Sequence, residues 1–238
     1  MYIIDFHSHI LPGIDDGARN MNSAMSMLEQ VREQKVDYMV ATPHFYASQD
    51  RIETFLQRRE NAWDAFWSAI QEKGYQNQPH IILGSEVAFF DGISRAEDIP
   101  ELTMRDTNIL LIEMPFVPWT DRNIDEIHYL IKERNFRVLI AHLERFIWMP
   151  GNKKMVSKLL ELPVSVQVNA ESLTDWRHRR ALVKMFSKGT AHVLGSDCHG
   201  SRHRIPNLQA GREIILKKAG AECLEKIDQY GQQLLFGD

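Results

Sequence analysis

The chain is 238 residues long, 44% hydrophobic and 25% charged, with a formal net charge of −4. That length suits one sizeable core, since α/β barrels run to about 200–250 residues as one domain, and the composition is that of a folded globular protein. The acidic balance argues against a broad nucleic-acid-binding surface, and no apolar run approaches the roughly 20 residues of a membrane span.

In chain order, short apolar β-branched segments alternate with helical patterns. The expected strands are 2–6, 38–42, 81–85, 108–112, 137–141, 164–168 and 192–196. Helices are expected over 23–34, 51–73, 124–134, 153–162, 172–188, 207–218 and 221–235. Ser23 is the expected cap of the first helix, and Gly74 ends the second. Such alternation implies a parallel sheet covered by helices. Seven units in residues 1–238, read as one domain, suggest a closed or nearly closed seven-stranded barrel, with an open doubly wound sheet as the alternative. The N-terminal residues lack the three regions of a signal peptide. Two cysteines, Cys198 and Cys223, make no disulfide framework, so a cytoplasmic location is expected.

The chemistry lies just past the strands. Strand one runs into Asp5-Phe6-His7-Ser8-His9, strand two into Thr42-Pro43-His44, strand three into Gly84-Ser85-Glu86 and strand four into Glu113. Strand five ends at Ala141-His142 and strand seven at Ser196-Asp197-Cys198-His199. In parallel α/β folds these C-terminal ends converge on one face. His, Asp and Glu together suit Zn, Mn or Fe. A carboxylate at the end of an apolar strand is costly to bury unless it is paired or bound to metal. His80, His128, His178 and His192 fall at strand starts or in helices and read as ordinary structural residues; His203 fits either reading. Phe116, Trp119 and Phe146 follow ligand-bearing strands, where ordinary packing is the favoured reading over a mouth for an aromatic ring.

The segments 5–17 (DFHSHILPGIDDG), 42–44 (TPH), 84–86 (GSE), 142–145 (HLER) and 196–199 (SDCH) resemble the polymerase and histidinol phosphatase (PHP) superfamily. Within it they look most like the bacterial manganese-dependent tyrosine phosphatases of capsule and exopolysaccharide loci. The resemblance spans nearly the whole chain and implies a distorted seven-stranded barrel holding three divalent ions, manganese first, with iron or zinc as alternatives. Carried over, His7, His9, Glu86 and Asp197 would hold the first ion. Glu86, Glu113 and His142 would hold the second, and Asp16, His44 and His199 the third. Asp15 is the less expected ligand of its pair, and histidinol phosphatases usually carry histidine at the position of Asp16. Arg145 would hold the substrate phosphate, with Arg204 the second phosphate-side candidate.

Such a cluster suits phosphomonoester hydrolysis, because metals bind phosphate oxygens and acidify water. The implied substrate is a phosphotyrosine protein, a bacterial tyrosine kinase of polysaccharide export. Three other readings compete: a small-molecule phosphatase of histidinol-phosphate type, a non-enzymatic phosphotyrosine-binding scaffold and a metal-dependent nuclease. Cys198 and Arg204 have the spacing of thiol-dependent tyrosine phosphatases, but the glycine of that phosphate loop is absent: Ser201 stands in its place. A cysteine nucleophile is therefore rejected.

Overall fold

The computed structural model describes residues 1–237; Asp238, the last residue of the expected domain, lies outside them. Among the described residues nine strands are present: β1 Ile4–Ser8, β2 Tyr38–Ala41, β3 His44–Phe45, β4 His80–Leu83, β5 Glu86–Ala88, β6 Ile109–Glu113, β7 Arg137–Ile140, β8 Ser165–Asn169 and β9 Val193–Gly195. The α-helices of these residues are α1 Met21–Glu33, α2 Ile52–Lys73, α3 Asp121–Lys132, α4 Glu144–Ile147, α5 Lys153–Leu159, α6 Trp176–Ser187, α7 Leu208–Ala219 and α8 Ala221–Phe236. Among the described residues, no helix is long and apolar enough to cross a membrane.

Every strand pairing is parallel. In place of one continuous ring of seven, the strands form a curled sheet of six, in the order β3-β5-β6-β7-β8-β9, and a second sheet of three, β1-β2-β4. The difference arises where expected strands two and three break. Pro43 lies between β2 and β3 and has no N–H to offer a ladder. Gly84-Ser85 separates β4 from β5, and the far halves His44–Phe45 and Glu86–Ala88 join the other sheet. Beyond the end of β9, among the described residues, an isolated parallel bridge joins Ser8 of β1 to Cys198. It is flanked by hydrogen bonds from Asp197 N–H to the His7 carbonyl (2.8 Å) and from His9 N–H to the Cys198 carbonyl (3.0 Å).

Strands β2, β6 and β7 are largely apolar on both faces, as buried parallel strands require, whereas β1 and β8 carry buried polar residues. In β6, Leu110 and Ile112 join the large helix-covered core, whereas Ile109 and Leu111 join a smaller cluster with Phe6, Leu139 and Leu234. This period of two is the pleat of the strand. Helix starts follow local chemistry that a hydrophobic pattern does not reveal. Asn20, not Ser23, caps α1 through a bond from Ser23 N–H to its side chain. Thr120 and Asn123 form a reciprocal capping box that starts α3 at Asp121. The expected helix 172–188 divides into a 3-10 turn, Glu171–Leu173, and α6, which Asp175 caps.

Candidate metal centre

The residues expected at the strand ends come together. Ligand atoms of His9, Asp16, His44 and His199 lie within 4.8 Å of one another, and the same holds for His7, Glu86 and His142. Two further groups overlap these: His7, His9 and Asp197, and His44, Glu86 and Glu113. Glu86 is fully buried, with His44 Nδ1 2.9 Å, His7 Nε2 3.2 Å and His9 Nε2 3.3 Å from its Oε2, and His142 Nε2 2.8 Å from its Oε1. His142 Nε2 is also 3.3 Å from Glu113. Asp16 stands apart as an exposed member, 3.5 Å from His44 and 3.4 Å from His199. Overlap through His9, His7, His44 and Glu86 makes one continuous cluster.

Hydrogen bonding accounts for only part of this close approach. His44 Nδ1, Glu86 Oε2, His142 Nδ1 and His199 Nε2 are buried without a hydrogen-bond partner. His44 and Glu86 are near enough to bond but misdirected. Buried polar atoms left unpaired are costly, and several around one point suit divalent cations. Electrostatics agrees. Burial opposes ionisation of Glu86 and Asp197, but the surrounding histidines outweigh it and hold both carboxyls well below their usual range. Burial and the charge of neighbouring His9 push His199 down to about 4. For His9 and His142 burial is outweighed by the surrounding carboxylates, which hold His9 well above its usual value and raise His142 to about 9, so a bound cation would displace protons from those two.

The backbone is bent to aim these groups. His142 and Asp197 have φ of 30° and 50°, and Arg204 has 47°. For residues with a Cβ this conformation costs about 1–3 kcal/mol and persists only where surrounding structure fixes it. His142 N–H donates to Gln167 Oε1 at 2.8 Å, and Asp197 N–H to the His7 carbonyl. Two glycines allow close approach: a Cβ on Gly17 would lie 2.3 Å from the His9 carbonyl oxygen, and one on Gly195 2.6 Å from His7 Cβ.

A supporting layer escaped sequence reasoning. Asp15 meets His9 Nδ1 at 2.8 Å and also accepts the His44 N–H, so it braces two members of the cluster from behind. Gln167 Oε1 meets His7 Nδ1 at 3.1 Å, and Asn169 Nδ2 donates to Asp197 Oδ2 at 2.7 Å. The sequence signal was there: Ser165, Gln167 and Asn169 alternate with valines along a wholly buried strand. Buried amides at period two must find polar partners.

Both arginines reach the cluster. Arg145 donates to Asp197 Oδ2, and Arg204 Nη2 lies 2.8 Å from Asp197 Oδ1. Each guanidinium remains partly exposed. Trp119 and Phe146 are buried packing, as favoured, whereas Phe116 is exposed with its ring 6.5 Å from that of His142. Cys198 is fully buried, and burial pushes its thiol up to about 12, which gives no thiolate nucleophile. His80 stacks on Tyr38, His178 stacks on Trp148 and His192 accepts the Val166 N–H.

A family model described as capsular polysaccharide synthesis, CpsB/CapC, matches residues 3–235. The chain belongs to the CpsB/CapC family. Similar curated members include the tyrosine-protein phosphatase CpsB of Streptococcus pneumoniae, 27% identical over 94% of each chain. The tyrosine-protein phosphatase YwqE of Bacillus subtilis is 26% identical over 98% of this chain and 91% of its own. The putative tyrosine-protein phosphatase CapC of Staphylococcus aureus is 27% identical over 99% and 92%. A solved structure from work on YwqE of B. subtilis and CpsB of S. pneumoniae, described as unique metal-dependent tyrosine phosphatases, superposes with a TM-score of 0.85. At 23% identity over 99% of this chain and 95% of that one, it shows that the CpsB/CapC fold is shared.

Proposed function

We propose that this chain is a metal-dependent phosphatase of protein phosphotyrosine. The observation that carries the reading is the convergence of five histidines and four carboxylates, several with unpaired buried atoms, on a spot that two partly exposed arginines share. The tyrosine-phosphatase activity for which the CpsB/CapC relatives are named agrees with it. His7, His9, Glu86 and Asp197 would hold one ion, Glu86, Glu113 and His142 a second, and Asp16, His44 and His199 a third. We favour manganese, with iron or zinc as alternatives. When bound, the ions supply charge neutralisation for phosphoryl oxygens and acidify water.

The chain's own residues then orient the ester. A guanidinium carries five N–H donors. Arg145 and Arg204 each spend only part of theirs on Asp197 and retain a fork for phosphate. Exposed Phe116 offers a face for the substrate ring beside His142. The oxygen of water bonds to phosphorus as the P–O(aryl) bond breaks. The water protons stay on the released phosphate until the phenolate, a good leaving group because phenol has a pKa of about 10, takes one of them and departs as phenol.

The seven expected strands would act as one closed barrel within a single domain, residues 1–238. The bridge from β1 to the segment just after β9, and the gaps of only two residues between β2 and β3 and between β4 and β5, support that closure. The substrate we favour is an autophosphorylating tyrosine kinase of polysaccharide export in the cytoplasm, in keeping with the capsular family. The test is side-by-side turnover of a phosphotyrosine peptide and histidinol phosphate with manganese. Preference for the peptide is expected; preference for histidinol phosphate overturns the substrate, and no turnover of either overturns the reaction.

A further inference from the structure

Asp16 is the common wall of two cavities of similar size and opposite character. One, of about 490 Å³, is lined by Ile14, Tyr46 and Phe55 together with Asp15, Asp50 and Arg58. The other, of about 500 Å³, is lined by Arg19, Arg202, Arg204 and His203 and opens onto His199 of the metal cluster. Three guanidiniums face one carboxylate in that second lining. That carboxylate, Asp16, is directed at His44 and His199. Arg204 is paired with Asp197, whereas Arg19 and Arg202 form no ion pair among the described residues. Like charges gathered in a hollow without internal partners are left for an anion from outside.

The wall is built, not draped. His199 N–H donates to the Arg204 carbonyl at 2.9 Å, closing the loop that carries Arg202 and His203. Gln30 of α1 donates to the Ser201 carbonyl at 3.0 Å and ties that loop to the helix. Arg19 is placed by its neighbours: Ala18 N–H donates to the His9 carbonyl at 2.9 Å, and Asn20 caps α1. One side of this cavity is therefore the cluster and the other an arc of exposed arginines carried on fastened backbone.

We propose that this cavity is a subsite for a second anion carried by the same peptide as the phosphotyrosine. The group is a carboxylate or a phosphate on a residue flanking the reacting tyrosine. Arginine suits both, through bidentate charge-assisted bonds. The subsite would select among phosphotyrosine substrates by their flanking charge. This inference rests on the phosphatase reading above.

The test uses the full chain with manganese and four substrates: phenyl phosphate and three phosphotyrosine peptides with neutral, glutamate or non-hydrolysable phosphonate flanks. The acidic peptides should exceed the neutral one at least fivefold in kcat/KM, chiefly through KM. A phosphonate-only or glutamate-only gain identifies which anion the subsite accepts. Arg19→Ala combined with Arg202→Ala should bring the preference below twofold, and Arg19→Glu with Arg202→Glu should invert it. On the unaltered chain, raising salt to about 0.5 M should collapse the preference, since exposed charges are screened within a few ångströms there. Equal kcat/KM for acidic and neutral peptides, or a preference that survives both alanines, overturns the subsite while leaving the phosphatase reading standing. If no ester is hydrolysed the phosphatase reading fails, and fluorescence anisotropy of labelled glutamate and neutral peptides decides the subsite. Equal affinities then overturn it.

Discussion

The ends of β1 and β8 serve the same cluster by opposite means. The β1 end sends His7 and His9 directly into it, two residues apart on an extended backbone that points both imidazoles the same way. The β8 end sends no carboxylate or imidazole. It sends Gln167 and Asn169, whose amides hold His7, His142 and Asp197 by their outer atoms. One strand provides donors and the other provides their aim. Replacing a donor should abolish the centre, whereas replacing an aiming residue should only weaken it.

The largest effects belong to the donors. Glu86→Ala removes the carboxylate that touches four histidines, and manganese content and turnover should disappear together; metal analysis beside kinetics checks this. A strong chelator should do the same to the unaltered chain, with manganese restoring activity better than magnesium, which prefers oxygen ligands. Full activity after exhaustive metal removal would end the metal reading.

Next in size is Arg145→Ala, at about ten- to a thousandfold in kcat/KM, the cost of a lost charge-assisted phosphate contact. Metal content should hold, because Asn169 and Arg204 still grip Asp197. Arg145→Lys should recover part of the loss by keeping charge without the fork. Unchanged kcat/KM in Arg145→Ala would shift the clamp to Arg204.

Gln167→Leu sharpens the comparison itself. It keeps size but frees His7 and His142, and manganese affinity should fall about 10- to 100-fold, as is usual for outer partners of metal ligands. Saturating manganese should then restore most turnover. A loss as complete as that of Glu86→Ala would erase the distinction between donor and aiming residue.

The smallest effect is expected at Cys198. Its Ser variant should retain turnover within a few-fold. In the folded protein, alkylation of Cys198 should be negligible at pH 8: burial raises the thiol to about 12, so the reactive thiolate is on the order of one part in ten thousand. Rapid alkylation with matching loss of activity would reinstate the cysteine.

These contrasts show why some of the centre was legible in sequence and some was not. His7, Glu86, His142 and Asp197 announce themselves because a charged or imidazole group directly after an apolar strand has few other reasons to be there. Gln167 and Asn169 do not, since amides are common, and only burial of the whole of β8 reveals that they need partners. The pairing of Arg145 and Arg204 on one carboxylate depends on left-handed turns at Asp197 and Arg204, which spacing does not encode. The order of the strands was readable from alternation. Their division at Pro43 and at Gly84-Ser85 depends on which sheet each half joins, a long-range matter.

The contact between β1 and β9 sets a timetable. Asp5 receives the Ser196 N–H across 191 positions of chain, at 2.8 Å, and His7 receives that of Asp197. Contacts so distant in sequence form late, because a long loop must close before they are rewarded. On a ribosome His7 and His9 emerge early, yet Asp197 and His199 reach them only when nearly the whole chain has been made. Ion binding at the completed centre would then report that the first and last strands have met, and a chain truncated before β9 would have no means of holding the two ends together.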